Sequence, residues 1–342
     1  MSSTGDYTRS LDRLRRDDES RFGGKSSSLG ELLAAEIRVP PGFALSTEAY
    51  CEFAAHPAVA GAISDGAAPA IVEAMRSVEI PGAVLDEIAR AYEALGEPPV
   101  AVRSSALGED SEEATFAGQQ ETFLWVRGAD AVYEAVRDCW ISLYSPTAIS
   151  YRARLGGHSR DQPAMGVTVQ AMVDAEVSGV MFTCNPVSGD PSMVAINASW
   201  GLGLAVVGGE VTPDDYLVSK VTREVVRAQV NDKHVEYVPD PGGAGAVRSD
   251  VEDERRRVRC LDDDALGALV DVAKRVERHF GSRQDIEWAI ARGESVHDGL
   301  YLLQSRPVTG VAAASERKPP PESAIAAVMS TFGANVGKGK SA

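Results

Sequence analysis

Apolar and polar positions alternate with a period of two at several points along the chain. At others, apolar residues recur every three to four positions. The clearest alternation lies in residues 281–310, GSRQDIEWAIARGESVHDGLYLLQSRPVTG, where Ile286, Trp288 and Ile290 interleave with Asp285, Glu287 and Ala289. That is a strand with one apolar and one charged face. Gln304 and Arg306 share a face in 301–306 by the same rule, and Asp298-Gly299 is a turn signal just before that run. A hairpin that closes symmetrically sets Glu287 opposite Gln304, with Arg306 close by. Further strands are predicted at 100–103, 167–173, 179–183 and 194–198. The second of these places Thr168, Gln170 and Met172 opposite an apolar face. Leu29, Leu32, Leu33 and Ile37 recur at helical spacing and predict a helix over 26–37, with Ser28 and Glu31 as a capping box. Residues 47–95 read as mostly helical, as do 129–154 and 261–280, while 239–246 (PDPGGAGA) read as a flexible loop.

Residues 1–20 are charged and read as loosely held, with 1–17 as a polar N-terminal arm, and 313–342 read as a linker (SERKPPPE) and tail. A chain of 342 residues is long enough for two or three lobes and a large core. Its net charge of −16 argues against nucleic acid or an anionic membrane as the main partner. A local basic pocket can still hold phosphate inside an acidic protein. Cys51, Cys139, Cys184 and Cys260 show no metal-ligand spacing and read as reduced thiols, mostly core fillers. With no apolar run of membrane-spanning length and a polar N-terminus, the expectation is a cytoplasmic protein.

Several short stretches have the composition for chemistry. On the hairpin, a carboxylate, an amide oxygen and a guanidinium on one surface suit a metal–polyphosphate ligand, since Mg²⁺ takes oxygen donors and Arg forks onto phosphate. An exposed face with a solvated ion pair accounts for the same residues. Gly23-Gly24-Lys25 precedes a helix, where glycines allow close backbone approach and Lys adds a charge; taken alone, a Gly-Gly turn with a solvated Lys fits better. Arg103 ends an apolar strand and is followed by Ser104 and Ser105; pairing with Glu109 or Asp110 is the alternative to a ligand contact. Residues 116–122 (FAGQQET) have the Gly and polar groups of a loop that folds over phosphates, or of a hairpin turn. Gln170 points away from its strand's apolar face, towards solvent or an adenine. None of His56, His158, His234, His279 and His297 sits in a nucleophile-like context.

Taken together and in order, FGGKSSSLGEL (22–32), VPPGFALSTEAY (39–50), VAVRSSALGEDSEEATFAGQQETFL (100–124), VQAMVDAEVSGVMFTCNPVSG (169–189), ASWGLGLAVVGGEVTPDDY (198–216) and QDIEWAI…LYLLQSRPVTG (284–310) resemble the N-terminal nucleotide-binding domain of the phosphoenolpyruvate synthase and pyruvate phosphate dikinase family. The resemblance implies an α+β, ATP-grasp fold in which two lobes clamp ATP, the N-terminal lobe region at 18–190 and the C-terminal lobe at 191–312, with Mg²⁺ as cofactor. It implies Lys25 and Arg103 as phosphate ligands, Gly118 and Thr122 in the loop over the phosphates, and Gln170 near the adenine. Glu287 and Gln304 become the Mg²⁺-binding pair and Arg306 a phosphate-binding Arg, with Arg103, Glu287 and Arg306 as the catalytic set. Leu204 follows Gly201-Leu202-Gly203 where the family often has Glu, and the hairpin loop is several residues longer than usual.

The family relays phosphate through a histidine on a separate swivelling domain, in a sequence like Gly-Gly-x-Thr-Ser-His, which none of the five histidines matches. The expectation is a split enzyme. This chain binds ATP as a stand-alone subunit, like the ATP-binding subunit of phenylphosphate synthase, and a partner subunit supplies the carrier histidine and the site for a small-molecule acceptor, a phenol or cresol. A phosphoenolpyruvate synthase-like or rifampin-type phosphotransferase component, an ATP-grasp ligase releasing ADP, and a non-catalytic nucleotide-sensing subunit are the alternatives.

Overall fold

A computed structural model of the chain describes residues 6–106, 121–146, 148–149, 164–243 and 245–308. It divides into two compact units. The first takes the described residues of Met1–Ser111, Gln119–Met172 and Pro239–Ala246, and the second those of Val173–Val238 and Val247–Ala342. Each combines helices with an antiparallel sheet, so the α+β expectation is met in both.

The first unit is built on five strands: β1 (Thr8–Ser10), β2 (Gly42–Leu45), β3 (Val100–Ala106), β4 (Thr122–Val126) and β5 (Met165–Ala171). Their order is β1-β2-β5-β3-β4, with every pairing antiparallel. One face of the sheet carries Phe43, Leu45, Val100, Val102, Val167 and Val169. It forms a single core with Tyr50, Phe53, Ile88, Tyr92 and Trp140 from the helices Thr47–Ala54, Gly82–Ala94 and Ala129–Ser142. These large apolar and aromatic groups supply most of the driving force for the unit. The opposite face carries Ala44, Ala101, Arg103, Ser105, Thr168 and Gln170. Glycines at 42 and 166 on this face let the chain around Leu11 and Phe22 approach closely: a Cβ on Gly166 would lie 2.5 Å from Phe22 O.

The second unit contains β6 (Ala175–Phe182), β7 (Met193–Trp200), β8 (Asp214–Ser219), β9 (Val225–Gln229), β12 (Gln284–Ala291) and β13 (Leu300–Pro307), ordered β13-β12-β6-β7-β8-β9. A separate ribbon is formed by β10 (Val235–Pro239) and β11 (Ala246–Asp250). The helix Asp263–Phe280 buries Leu266, Leu269, Val270, Ala273 and Val276, and packs on β12, whose Ile286 and Trp288 are fully buried.

Several boundaries differ from the sequence reading. Residues 8–14 are not loosely held: β1 pairs with β2, and Leu11 and Leu14 are buried, so two leucines anchor an otherwise polar segment. The unit boundary falls at Met172/Val173 rather than 190/191, because β6 pairs with β7 and β12 and belongs to their sheet. The helix expected over 26–37 is Gly24–Ala34, which puts Ser28 inside it. The capping box therefore does not form, and Glu31 instead accepts from Arg16 N at 2.9 Å. Within the expected loop 239–246, Asp240 N donates to Gly245 O at 3.0 Å and Gly243 N to Asp240 O at 2.9 Å. The helix expected over 129–154 is described as Ala129–Ser142. The linker and tail at 313–342 lie outside the described residues.

Candidate functional site

In the first unit, the residues picked out from sequence converge on the sheet face away from the helical core. Pairing sets Arg103 of β3 next to Thr122 of β4 on one side and Thr168 of β5 on the other. Gln170 lies two residues from Thr168 and shares its face. It is buried rather than solvated, and Nε2 donates to Pro40 O at 3.4 Å. Lys25 occupies the first turn of the helix Gly24–Ala34, is only 5% exposed, and donates through Nζ to Ser104 O at 2.9 Å. The helix start is tied to the sheet by Ser26: its Oγ lies 2.7 Å from Thr168 Oγ1, and its amide donates to Ser105 Oγ at 3.4 Å. Gly23 makes this contact possible. Its φ is +82°, and a Cβ there would fall 2.3 Å from Ser105 O. The reading of Gly23-Gly24-Lys25 as a turn with a solvated Lys is thus replaced by a buried ammonium beside Arg103's strand. Thr122 opens β4 and is exposed; Gly118, Glu109 and Asp110 lie outside the described residues.

The second unit confirms the expected hairpin register, with Glu287 opposite Gln304 and Asp285 opposite Arg306. A bulge after Glu287 re-aligns the pairing, so Trp288 faces Leu302 and the apolar side stays continuous. The alternative of an exposed face with a solvated ion pair does not hold. Arg306 meets Asp285 through Nε and Nη2, both at 2.9 Å from Oδ2, and Asp285 is 5% exposed. Burial pushes the Asp285 carboxyl up to about 6, against the pull of Arg306 and with a smaller push from Glu287. Alternation alone places Asp285 on the charged face. Its burial comes from tertiary packing, which alternation does not reveal.

The register extends this row across the sheet, from Gln304 and Glu287 through Val180 to Asn197 and Asp215. Asn197 and Asp215 are both buried, and Asp215 Oδ1 accepts from Arg227 Nε and Nη2 at 2.9 and 2.6 Å. The sequence signal for Asn197 was a lone amide in the apolar run VAINAS. Nearby, Ser178 Oγ donates to Gly201 O at 2.6 Å, and Leu204 begins the short helix Leu204–Val207.

Among the described residues, no cluster of three or more His, Cys, Asp or Glu side chains is placed to hold a metal. Glu287 and Gln304 provide two facing oxygen donors, which fits a hard ion that takes its remaining ligands from phosphate and water. The described histidines make other contacts or lie elsewhere. His56 Nδ1 accepts from Ala58 N at 3.3 Å, His297 Nε2 lies 3.0 Å from Asp264, and His279 packs on Phe280. All four cysteines are free, and Cys139, Cys184 and Cys260 are buried, as core fillers should be. Among the described residues, no helix is long and apolar enough to cross a membrane.

Comparison with known proteins places these features in context. The pyruvate phosphate dikinase, AMP/ATP-binding domain matches residues 19–326. A probable phosphoenolpyruvate synthase of Methanothermobacter thermautotrophicus is 38% identical over 330 residues, covering 91% of this chain and 47% of that protein. The phosphoenolpyruvate synthase of Pyrococcus furiosus is 36% identical, covering 87% of this chain and 43% of that protein. The chain thus spans less than half the length of these relatives. Among solved structures, D-alanyl-alanine synthetase A from Vibrio cholerae is similar at 12% identity and a TM-score of 0.35, covering 93% of this chain and 62% of that one. The two α+β units and the family match agree with the ATP-grasp fold that the motifs implied.

Proposed function

Since the chain belongs to the pyruvate phosphate dikinase, AMP/ATP-binding domain family, we propose that it is the ATP-binding component of a dikinase-type phosphotransferase. Its reaction is ATP + acceptor + H₂O → AMP + phosphate + phospho-acceptor, with the β-phosphoryl group carried by a histidine. The observation that carries this reading is the in-register row of Glu287–Gln304 and Asp285–Arg306, a carboxylate–amide pair next to a guanidinium held in place by its own buried carboxylate. Lys25 and Arg103 add cationic groups from the first unit.

Glu287 and Gln304 would hold Mg²⁺, which neutralises phosphate charge when bound. The chain's own side chains do the rest. Lys25, fixed by Ser104 O, and Arg103, flanked by Thr122 and Thr168, neutralise phosphate oxygens and hold the triphosphate in line. Asp285 orients Arg306, so the guanidinium meets phosphate without first being ordered. Gln170 offers its buried amide to the base. The carrier histidine belongs, in this proposal, to a partner chain. The acceptor we favour is a small phenol or cresol.

The test is the identity of the nucleotide product. Purified chain is incubated with Mg·ATP, cell extract and a panel of acceptors including phenols, with Glu287→Ala as control. AMP that depends on Glu287 and on the extract is the expected result. Glu287-dependent ADP would replace this reading with an acyl-phosphate ligase. Absence of turnover alongside intact ATP binding would replace it with a nucleotide sensor.

A further inference from the structure

The charged alternation on β12 does not stop at Asp285. Arg283 stands two residues before it, and its carbonyl accepts from Val308 N at 2.9 Å. This carries the register Glu287–Gln304, Asp285–Arg306 one pair further, to Arg283–Val308. Val308 packs against Val180, Phe182, Ala195 and Leu217, residues of the same sheet face. Arg283, Asp285 and Glu287 therefore run along one side of the row, in steps of about 7 Å.

The cations near this row differ in their commitments. Arg306 is paired with Asp285. Lys220 is held by Glu277 and by Thr183 O at 2.6 Å. Arg283 is half-buried and forms no ion pair among the described residues. Its guanidinium rests against the Cys184 thiol and within the field of Asp190, whose Oδ1 already accepts from Ser192 N and Oγ at 2.9 and 2.7 Å. A thiol is a weak partner for a guanidinium, whereas phosphate oxygens match its planar fork.

We infer that Arg283 is a further phosphate-binding residue, taking a phosphoryl group of the nucleoside triphosphate one pair beyond Arg306 as counted from the Glu287–Gln304 pair. The inference rests on the ATP reading above and extends its phosphate-binding row by one residue. It gives Arg283 a specificity role, favouring nucleotides with a longer phosphate chain.

Calorimetric titration of the full chain with Mg·ATP, Mg·ADP and AMP tests this. In Arg283→Gln, ATP should bind about tenfold more weakly, the loss of one charge-assisted hydrogen-bonding group. AMP affinity should be unchanged, and Arg283→Lys should recover part of the loss. An ADP affinity that is also unchanged would assign Arg283 to the terminal phosphate, and one that falls with ATP would assign it to a phosphate that both nucleotides carry. An ATP affinity within about twofold of the unmodified chain, or an equal fall for AMP, overturns the inference. The unmodified chain and Glu287→Gln separate the two levels: if the unmodified chain fails to bind Mg·ATP, the ATP reading falls and this inference with it. If it binds, Glu287→Gln weakens it and Arg283→Gln does not, only the inference about Arg283 falls.

Discussion

A methyl group on Gly23 would come 2.2 Å from Ser105 Oγ and 2.3 Å from Ser105 O, on a backbone already at φ +82°. Neither contact is with a flexible tip, so β3 or the helix start must move. Gly23→Ala should therefore destabilise the first unit by roughly 2–3 kcal/mol. It should also weaken ATP binding, because the same turn seats Lys25 on Ser104; urea unfolding and calorimetry read the two effects. A variant with unchanged stability would show that the close approach of Gly23 to Ser105 is not required. In the sequence, Gly23-Gly24 marked a turn, but not which strand it would touch. Lys25 reads as solvated for the same reason: it is seated by its bond to Ser104 O and by its neighbour Ser26's contact with Thr168, both far away in the chain. Asp285 is the converse case. Its face was legible from alternation, while the shift of its carboxyl comes from burial that no local pattern encodes.

Elements with strong internal periodicity were the legible ones. The helix Asp263–Phe280 lies within two residues of its expected bounds, and the β12–β13 pairing has the expected Glu287–Gln304 register. Elements defined by partners were not. A strand is expected at 179–183 and runs Ala175–Phe182, yet nothing in its composition says that it joins Met193–Trp200 and Gln284–Ala291, and the boundary expected at 190/191 falls at Met172/Val173 accordingly. The long helix offers a calibrated test of local physics. Asp262 caps it, with Oδ1 accepting from Ala265 N at 2.8 Å, and a Cβ on Gly267 would meet nothing within 4 Å. Asp262→Ala should cost about 1 kcal/mol through the lost cap. Gly267→Ala should add about 0.5–1 kcal/mol by reducing the freedom of the unfolded chain. Denaturant midpoints measured on the two variants and their combination should show near-additivity, since the residues share no partner.

Across the whole molecule, the candidate groups are divided: Lys25, Arg103, Thr122 and Gln170 belong to one compact unit, and Glu287, Gln304 and Arg306 to the other. The proposed function gives each set a role in nucleotide binding, and mass action gives those roles a measurable form. A ligand at a hundred times its dissociation constant stabilises a folded chain by about 2.7 kcal/mol, or roughly 5 °C in a protein of this size. A variant whose affinity falls about a hundredfold retains only about 0.4 kcal/mol at the same concentration, a shift of roughly 1 °C or less. Lys25→Met and Glu287→Gln, although in different units, should each reduce the Mg·ATP-induced rise in unfolding temperature to that level. The double variant should lose almost nothing more, because the ligand term is already spent. Were either single variant to keep the full rise, its residue would lie outside the nucleotide's contacts, and the site would have to be assigned to the residues of the other unit alone.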